Sequence, residues 1–565
     1  MNILLLGLPL FVQELRLLGH TVTTAGTTDD RDLVLEPAEF SMPNLLGMLG
    51  PKRQPDICLV IEEMRDRRFP LRIEECPSPL VFYSIDTHLN NFWLEEFAPV
   101  CDLVLTTQKD YVETLKRRGG EVAWLPWSVH PDEFMDLGVE RDLDMAFIGT
   151  IDDHRQRRKS LLAQLSGRFQ VTLGTPGRFY SPQESSTIFS RARIVINEAI
   201  SSELNFRVFE TMATGAMLLT EQVGNGLTDL FIDGKEIVTF TPYDVISKAD
   251  HYLRNETERS EIAAAGQRAV RERHSRRIRA EELAELLQQA LHRGKVARGN
   301  PGGCYLLMLR RGLIDRNQYL AETERLLTTS CRNTPDDGER IALLAEFYAA
   351  DNRSADAVQL FQSALNCGFH NFRMLAQWGL LILEAGDEEA ARGIFSLIAE
   401  EKLPHELREG LITALSGRLP SMELYRRLGR IAETTGDRFQ PGFFPLQSTA
   451  LPFSGLDYLN RSLAGGEEQP ESHALIGDIF WKNRVFLDAA DNYLKALITG
   501  GYRNAELAFQ AAQALAWSFR LEDALQLARL AWDLKPHPRH LELMRQLDEA
   551  LAPSVERITT PAPPP

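Results

Sequence analysis

The sequence predicts two doubly wound α/β units followed by an all-α solenoid of helical hairpins, and three observations carry that prediction. Short apolar strands alternate with helix-length segments over roughly the first half of the chain. A helix, a glycine and an apolar strand follow one another without a break at 205–220. Beyond position 335 or so, small residues and aromatics recur with a period of 34.

At 565 residues the chain is too long for one hydrophobic core and divides into several domains. Its 44% hydrophobic and 25% charged residues are those of a globular protein. A net charge of −17 argues against nucleic acid as a partner, because that needs a basic footprint. An anionic nucleotide needs only a few local arginines. The six cysteines (Cys58, Cys76, Cys101, Cys304, Cys331 and Cys367) have no CxxC or metal-ligand spacing and read as reduced thiols of a cytoplasmic protein. The apolar start, 3–12, lacks a basic flank and is broken by Gly7 and Pro9, so it reads as a strand and turn rather than a signal peptide. No apolar run reaches about 20 residues, so no transmembrane segment is expected; peripheral association with a membrane stays open.

In the first unit, strands are expected over 2–6, 21–24, 57–61, 80–84, 103–106 and 123–125, in a parallel sheet. The prolines between Trp124 and Pro131 mark a connector. The second unit opens at Asp144 with strands over 145–148, 171–174, 194–196, 217–220 and 237–240. A long charged helix over 256–291, interrupted near His274 and Ser275, closes it. Two such Rossmann-like halves hold ligands in a cleft at the carboxyl ends of their strands. The expected domains are 1–138, 139–298, a linker or helical connector over 299–335, repeats over 336–552, and a proline-rich, disordered tail over 553–565. Glycine and proline at 299–303 suggest that the chain up to 298 folds alone.

Ala357 with Phe361 and Ala391 with Phe395 lie 34 apart, as do Ala345 and Gly379. Ala489 with Tyr493 and Gly477, and Ala524 with Ala528 and Ala512, repeat the pattern. Small residues are needed where the two helices of a hairpin touch, and the spacing is the tetratricopeptide (TPR) signature. Degenerate repeats are expected between Ala391 and Ala489, with an excursion over 437–470 rich in Pro, Gly and Ser.

Candidate site residues cluster at strand ends. Asn205 is expected to cap a helix that buries Phe206, Phe209 and Met212 and ends at Gly215. Arg207 and Glu210 share a face of its first turns, where a carboxylate suits ribose hydroxyls and an arginine suits phosphate. Arg207 has a second reading as an ion-pair partner of Glu203, and Asn205 as a cap and no more. Gly149 and Thr150 end a strand and precede Arg155, Arg157, Arg158 and Lys159, a set that either neutralises phosphate or forms a solvated helix face. Gly7 follows the first strand, where a glycine lets the backbone approach a ligand. Asp86 and His88 end the strand over 80–84 and read as acid–base or sugar-orienting groups, or as a plain turn cap.

The run Asn205-Phe206-Arg207-Val208-Phe209-Glu210, followed by a small residue, a glycine and a strand ending in Thr220, is similar to the nucleotide-sugar segment of retaining GT-B glycosyltransferases. It most resembles the CgeB-like (spore maturation protein) branch. The better-known family 4 pattern of two glutamates eight apart is not met, since Ser202 stands eight before Glu210 and Glu203 follows it. Arg158 with Leu161, Leu162 and Leu165 matches the family's Arg-x-x-Leu-Leu-x-x-Leu helix. The resemblance implies a metal-independent, retaining hexosyltransferase of the GT-B fold. It implies a nucleoside-diphosphate sugar as donor, no further cofactor, and a protein or glycan acceptor. Asp86, His88 and Arg158 are then the catalytic candidates, and Gly7, Gly149, Thr150, Arg158, Asn205, Arg207 and Glu210 the donor-binding ones. The repeats would recruit a protein partner or the acceptor. The alternatives are an inactive scaffold that binds nucleotide or glycan, and an epimerase using the same nucleotide site.

Overall fold

The computed structural model describes every residue except 64–67, 118, 297–298, 436–450, 465–468 and 553–565, and the side chain of 52. The tail beyond 552 and most of the excursion over 437–470 thus lie outside the described residues. Within that excursion a helix, Gly455–Leu463, is present.

The first sheet has seven parallel strands: β1 (Asn2–Gly7), β2 (Thr21–Gly26), β3 (Leu33–Val34), β4 (Ile57–Ile61), β5 (Leu80–Ser84), β6 (Leu103–Thr106) and β7 (Val122–Trp124). Their order is β3-β2-β1-β4-β5-β6-β7, with Leu5 beside Leu59 and Phe82 beside Val104. Every residue of β4, β5 and β6 is buried, which explains their uninterrupted apolar sequences: strands covered on both faces have no solvent side to alternate toward. Strand order reverses across β1 and β4, and ligands bind at such a switch point. Gly7 sits there at φ 81°, and a Cβ on it would lie 1.9 Å from the Ile61 carbonyl oxygen. Only glycine fits.

The second sheet has five parallel strands: β8 (Leu143–Phe147), β9 (Val171–Leu173), β10 (Ala192–Asn197), β11 (Met217–Glu221) and β12 (Val238–Phe240). Their order is β12-β11-β10-β8-β9, so its switch point lies between β8 and β10. The long closing helix is interrupted where expected, as Glu256–Arg273 and Arg276–Arg293.

The expected domain limits need correction in three places. The first sheet's segment ends at Leu125, and the chain from Pro126 belongs with the second sheet. The reason is local: Val129 and Arg276 pair, with the Arg276 amide donating to the Val129 carbonyl at 2.7 Å. Secondly, of the two readings of 299–335, linker or helical connector, the helices favour the second, and the first of them is built into a sheet domain's core. The helix Gly302–Arg310 is buried at every residue, in the same core as Phe82, Trp93 and Phe97 of the first sheet domain. A helix apolar all round has to be covered. In the helix that follows it, Arg316–Asn333, the Tyr319 hydroxyl donates to the Phe69 carbonyl at 2.6 Å.

Thirdly, the repeats are not a separate domain. One compact unit comprises Met1–Leu125 with Glu281–Leu475, and the other comprises Pro126–Ala280 with the chain from Ile476 on. Within the first, Gly338–Ala350 with Ser354–Asn366 and Phe372–Glu384 with Glu388–Glu400 are successive hairpins at the expected 34-residue period. A Cβ on Gly379 would lie 2.5 Å from the Phe395 ring, the small-beside-aromatic contact read from the sequence. The buried Arg311–Asp457 pair, at 2.9 Å, ties the connector to the helix Gly455–Leu463 within the excursion. No helix among the described residues is long and apolar enough to cross a membrane.

A chain ended at 298 therefore loses part of its first core rather than an appendage. Each large apolar side chain uncovered costs about 1.5–3 kcal/mol. We expect that fragment to lack a cooperative urea transition and fixed near-ultraviolet dichroism. Cooperative unfolding of residues 1–298 would show the helix Gly302–Arg310 to be dispensable.

Candidate functional site

The carboxyl edge of the second sheet carries a buried set of ion pairs. β8 ends at Phe147, β10 at Asn197 with Glu198 next, and β11 at Glu221. The helix Gln156–Ser166 carries Arg157, Arg158 and Lys159 in its first turn and no acidic residue there, where the helix dipole disfavours cations. Its basic side chains part company. Lys159 turns outward to the exposed Asp153 at 2.5 Å. Arg157 and Arg158 turn inward.

Arg158 is 4% exposed; its Nε donates to Glu198 Oε2 at 2.8 Å and its Nη1 to the Thr150 carbonyl at 2.8 Å. Arg157 donates to Glu198 Oε1 at 3.0 Å and grips Glu221 with both terminal nitrogens. Burial opposes the charge on Arg157, but Glu221 and Glu198 more than offset it and raise its pKa. Glu198, buried as well, is held below the usual carboxylate range by Arg158 and Arg157 despite that burial.

Arg207 reaches the same place from the other side. It donates to Asn197 Oδ1 at 2.9 Å, and Asn197 in turn donates to Thr220 Oγ1 at 3.0 Å. The guanidinium groups of Arg158 and Arg207 both lie over the Phe147 ring, at 5.2 and 4.9 Å from its centre. A Cβ on Gly149 would come within 2.6 Å of Arg207 Nη2, so the missing side chain makes room for this arginine. Burial, then the charge of Arg158, brings Arg207 down to about 10, and the same two causes lower Arg155. The charge of Arg158 thus bears on both Arg207 and Arg155, an arrangement relieved by a bound anion.

Of the residues read from the sequence, Gly149, Thr150, Arg158, Arg207 and Glu210 come together here. Glu210, one turn beyond Arg207, is partly buried and its carboxylate accepts no hydrogen bond among the described residues. Burial lifts it to about 7, against the pull of Arg207 and Arg276. Asn205 is corrected: the helix is Arg207–Ala213, its N-cap is Phe206, and no side chain caps it. Ser201 and Ser202 both have positive φ, so the chain is still turning at Asn205, whose Oδ1 is buried with no hydrogen-bond partner among the described residues. Phe206 is corrected too, being 39% exposed with its ring edge-on to Trp127, while Val208 takes its place in the core. Gly215 does end the helix, at φ 71°.

On the first sheet, Gly7, Asp86 and His88 lie at carboxyl ends of strands. The Gly7 carbonyl accepts from Arg31 Nη2 at 3.0 Å, and Arg31 also pairs with Glu63 at 3.2 Å. Asp86 occupies the N-cap position of the helix Thr87–Phe97 without a side-chain cap bond, and His88 is buried within its first turn. Their turn is held by Glu62, which sequence reasoning missed. Its Oε2 accepts from Ser84 Oγ and from the amides of Ile85 and Asp86 at 2.9–3.0 Å, and its Oε1 accepts from Asn90 at 2.7 Å. Glu198 and Glu221 were missed as well. Each is an acidic residue directly at the end of an apolar strand, a signal the sequence does carry.

Comparison with known proteins finds a family described as glycosyl transferase-like, matching residues 155–285. No curated protein matches the chain. Among solved structures it is similar to sucrose-phosphate synthase from Thermosynechococcus elongatus, at 12% identity and TM-score 0.37, over 51% of this chain and 98% of that one. A structure of Anabaena HepE with UDP and glucose is similar at 13% identity and TM-score 0.36, over 51% of this chain and all of that one. The TPR protein YrrB is similar at 14% identity and TM-score 0.20, over 39% and 97%.

Glu198→Ala leaves Arg158 without its carboxylate and Arg157 with one of two. Breaking a buried pair on one side costs about 3–5 kcal/mol. A clear drop in thermal midpoint of the full chain is expected. An unchanged midpoint would mean that water already compensates these arginines.

Proposed function

We propose that this chain is a glycosyltransferase that takes a nucleoside-diphosphate sugar as donor and binds it at the carboxyl edge of the second sheet. The reading rests on one observation: Arg158 and Arg207 converge over Phe147, Arg207 beside Gly149, with the carboxylate of Glu210 one turn beyond Arg207 and accepting no hydrogen bond among the described residues. The arginines match a diphosphate and the carboxylate matches a ribose diol. The match of 155–285 to a glycosyl transferase-like family covers this same stretch and supports it.

In this reading Arg207 and Arg158 take up the charge that develops on the departing nucleoside diphosphate, where fixed cations act most strongly. Asp86 and His88, on the first sheet, belong to the acceptor side. The transfer retains configuration by front-face attack assisted by the leaving phosphate, as the CgeB-like resemblance implies. The acceptor is a protein or glycan, with the repeats contributing to its recruitment.

Glu210 must be ionised to accept from ribose hydroxyls, yet in the free protein it is half protonated near pH 7. Binding thus draws off its proton. Affinity for a nucleotide sugar, whose diphosphate does not titrate in this range, rises by up to about tenfold per pH unit below 7 and levels off above it. Calorimetry of UDP-, GDP- and dTDP-sugars at pH 6 and pH 8 measures this. Glu210→Gln should flatten the profile, and Glu210→Ala should cost about 1.5–3 kcal/mol per hydrogen bond lost. If no nucleotide sugar binds, or if the Glu210 variants bind like wild type, the site is wrong.

Because arginines supply the positive charge, hydrolysis of the preferred donor is expected to persist in excess EDTA. Loss of turnover in EDTA with recovery in manganese would point to a metal-bridged diphosphate instead.

A further inference from the structure

We infer that the last two helical hairpins build the donor site, and that Arg157 is the positioning residue through which they do so. The inference rests on the reading above for the identity of the ligand, and on geometry for the rest.

In the hairpins, the turn between paired helices places one residue in the left-handed region. In the first unit these corners are Asn352 and Gly386, both exposed and both of types that accept positive φ readily. In the last two hairpins, Pro470–Lys482 with Phe486–Thr499 and Ala505–Trp517 with Leu521–Leu534, the same position, two past the end of the first helix, is held by Arg484 and Phe519, at φ 59° each. A bulky side chain there costs backbone energy that asparagine or glycine avoids. Each of these two has a task that explains the choice. Arg484 Nη1 donates to Ser202 Oγ at 2.8 Å, on the strained turn before Arg207. Phe519 is 1% exposed, in the core with Phe240 and Leu161 of the second sheet domain.

The corner at Phe519 also supplies Arg157 with what the sheet does not. The Trp517 carbonyl, last in its helix, accepts from Arg157 Nε at 2.8 Å, while the rings of Phe519 and Phe486 lie 4.8 and 5.5 Å from its guanidinium carbon. The two terminal nitrogens are thereby left to Glu198 and Glu221. Glu198 spends its other oxygen on Arg158. A contact made more than 300 residues away in sequence is thus two salt bridges from the group assigned to the leaving diphosphate. Moving the corner moves Arg158. The hairpins act as a wall of the donor site and not only as a docking arm.

Two variants of the full chain test this. Arg157→Lys keeps the charge but not the fork that serves a carbonyl and two carboxylates together. Phe519→Gly keeps the left-handed corner, as Gly386 does, and removes the ring. In both, hydrogen–deuterium exchange over 198–205 is expected to quicken by about tenfold or more, with exchange in the helix Phe372–Glu384 unchanged. In hydrolysis of the donor that wild type prefers, kcat falls about tenfold or more while KM stays within about threefold, since the misplaced charge matters most in the transition state. Unaltered exchange over 198–205 in both variants overturns the inference, whatever the activity. Altered exchange with unchanged kcat overturns the positioning role. Altered exchange in a protein that binds no nucleotide sugar upholds the wall and sinks the donor reading instead.

Discussion

Burying several like charges at one strand edge is the constraint around which the second unit is organised. Glu198 and Glu221 follow apolar strands so directly that they cannot reach open water, and an isolated buried carboxylate costs several kcal/mol. Arg157 answers both at once, at 3.0 and 2.9 Å, and Arg158 takes the remaining oxygen of Glu198. A lysine could not serve these directions together. The network then has consequences outward: Thr150 is drawn in by its carbonyl, Phe147 is sandwiched under two guanidinium groups, and Gly149 has to remain without a side chain.

The same reasoning explains why neither half of the chain is a sheet with a detachable helical tail. An arginine bonded to two carboxylates still has an Nε to satisfy, and the Trp517 carbonyl at a helix end still has a lone pair to satisfy. Each finds the other. In the first unit the linkage is apolar: the helix Gly302–Arg310 has no polar face to offer water, so it fills the core beside Trp93 and Phe97. Its last residue, Arg310, then donates to Gln377 at 2.9 Å within the hairpins. Helical repeats normally contact only their neighbours, which makes such ties informative about what the repeats are for.

How far the sequence could be read follows from which signals are local. Apart from the two-residue β3, the strands of both sheets were legible because short apolar runs alternating with helix-length segments fit the covered strands of a doubly wound sheet. The interruption of the long helix at His274 was legible because a polar pair breaks its periodicity. Gly379 beside Phe395 was legible because a fixed period states which residues touch. What failed was non-local. Nothing near Gly299 says that the next helix enters the first core, and nothing near Trp517 says that its carbonyl meets Arg157. Asn205 misled for a different reason. It is a good capping residue, but the chain turns through the positive φ of Ser201 and Ser202 and the helix starts one position later, and that geometry has no signature in two serines. At the site itself, Arg207 and Glu210 could be named from a motif. Arg158 could be chosen over Arg157 from its spacing to Leu161, Leu162 and Leu165, whereas the role of Arg157 needed its partners, which lie far away in sequence.

The division of labour between those two arginines follows from saturation. Arg157 has its donors distributed over two carboxylates and a carbonyl, so it holds the frame and has little left for a ligand. Arg207 makes one bond to an amide oxygen and stands among other arginines, which is an expensive state for a cation and a useful one. Glu210 is the counterpart on the acidic side, partly buried, lifted by burial to about 7 and with no donor among the described residues. Folding alone would favour replacing either of them, because each raises the energy of the empty site. Groups left uncompensated beside groups that are fully compensated mark where a ligand completes the structure. Here that ligand has to bring negative charge to Arg207 and hydrogen-bond donors to Glu210 within one helical turn, which a nucleoside diphosphate does with its phosphates and its ribose.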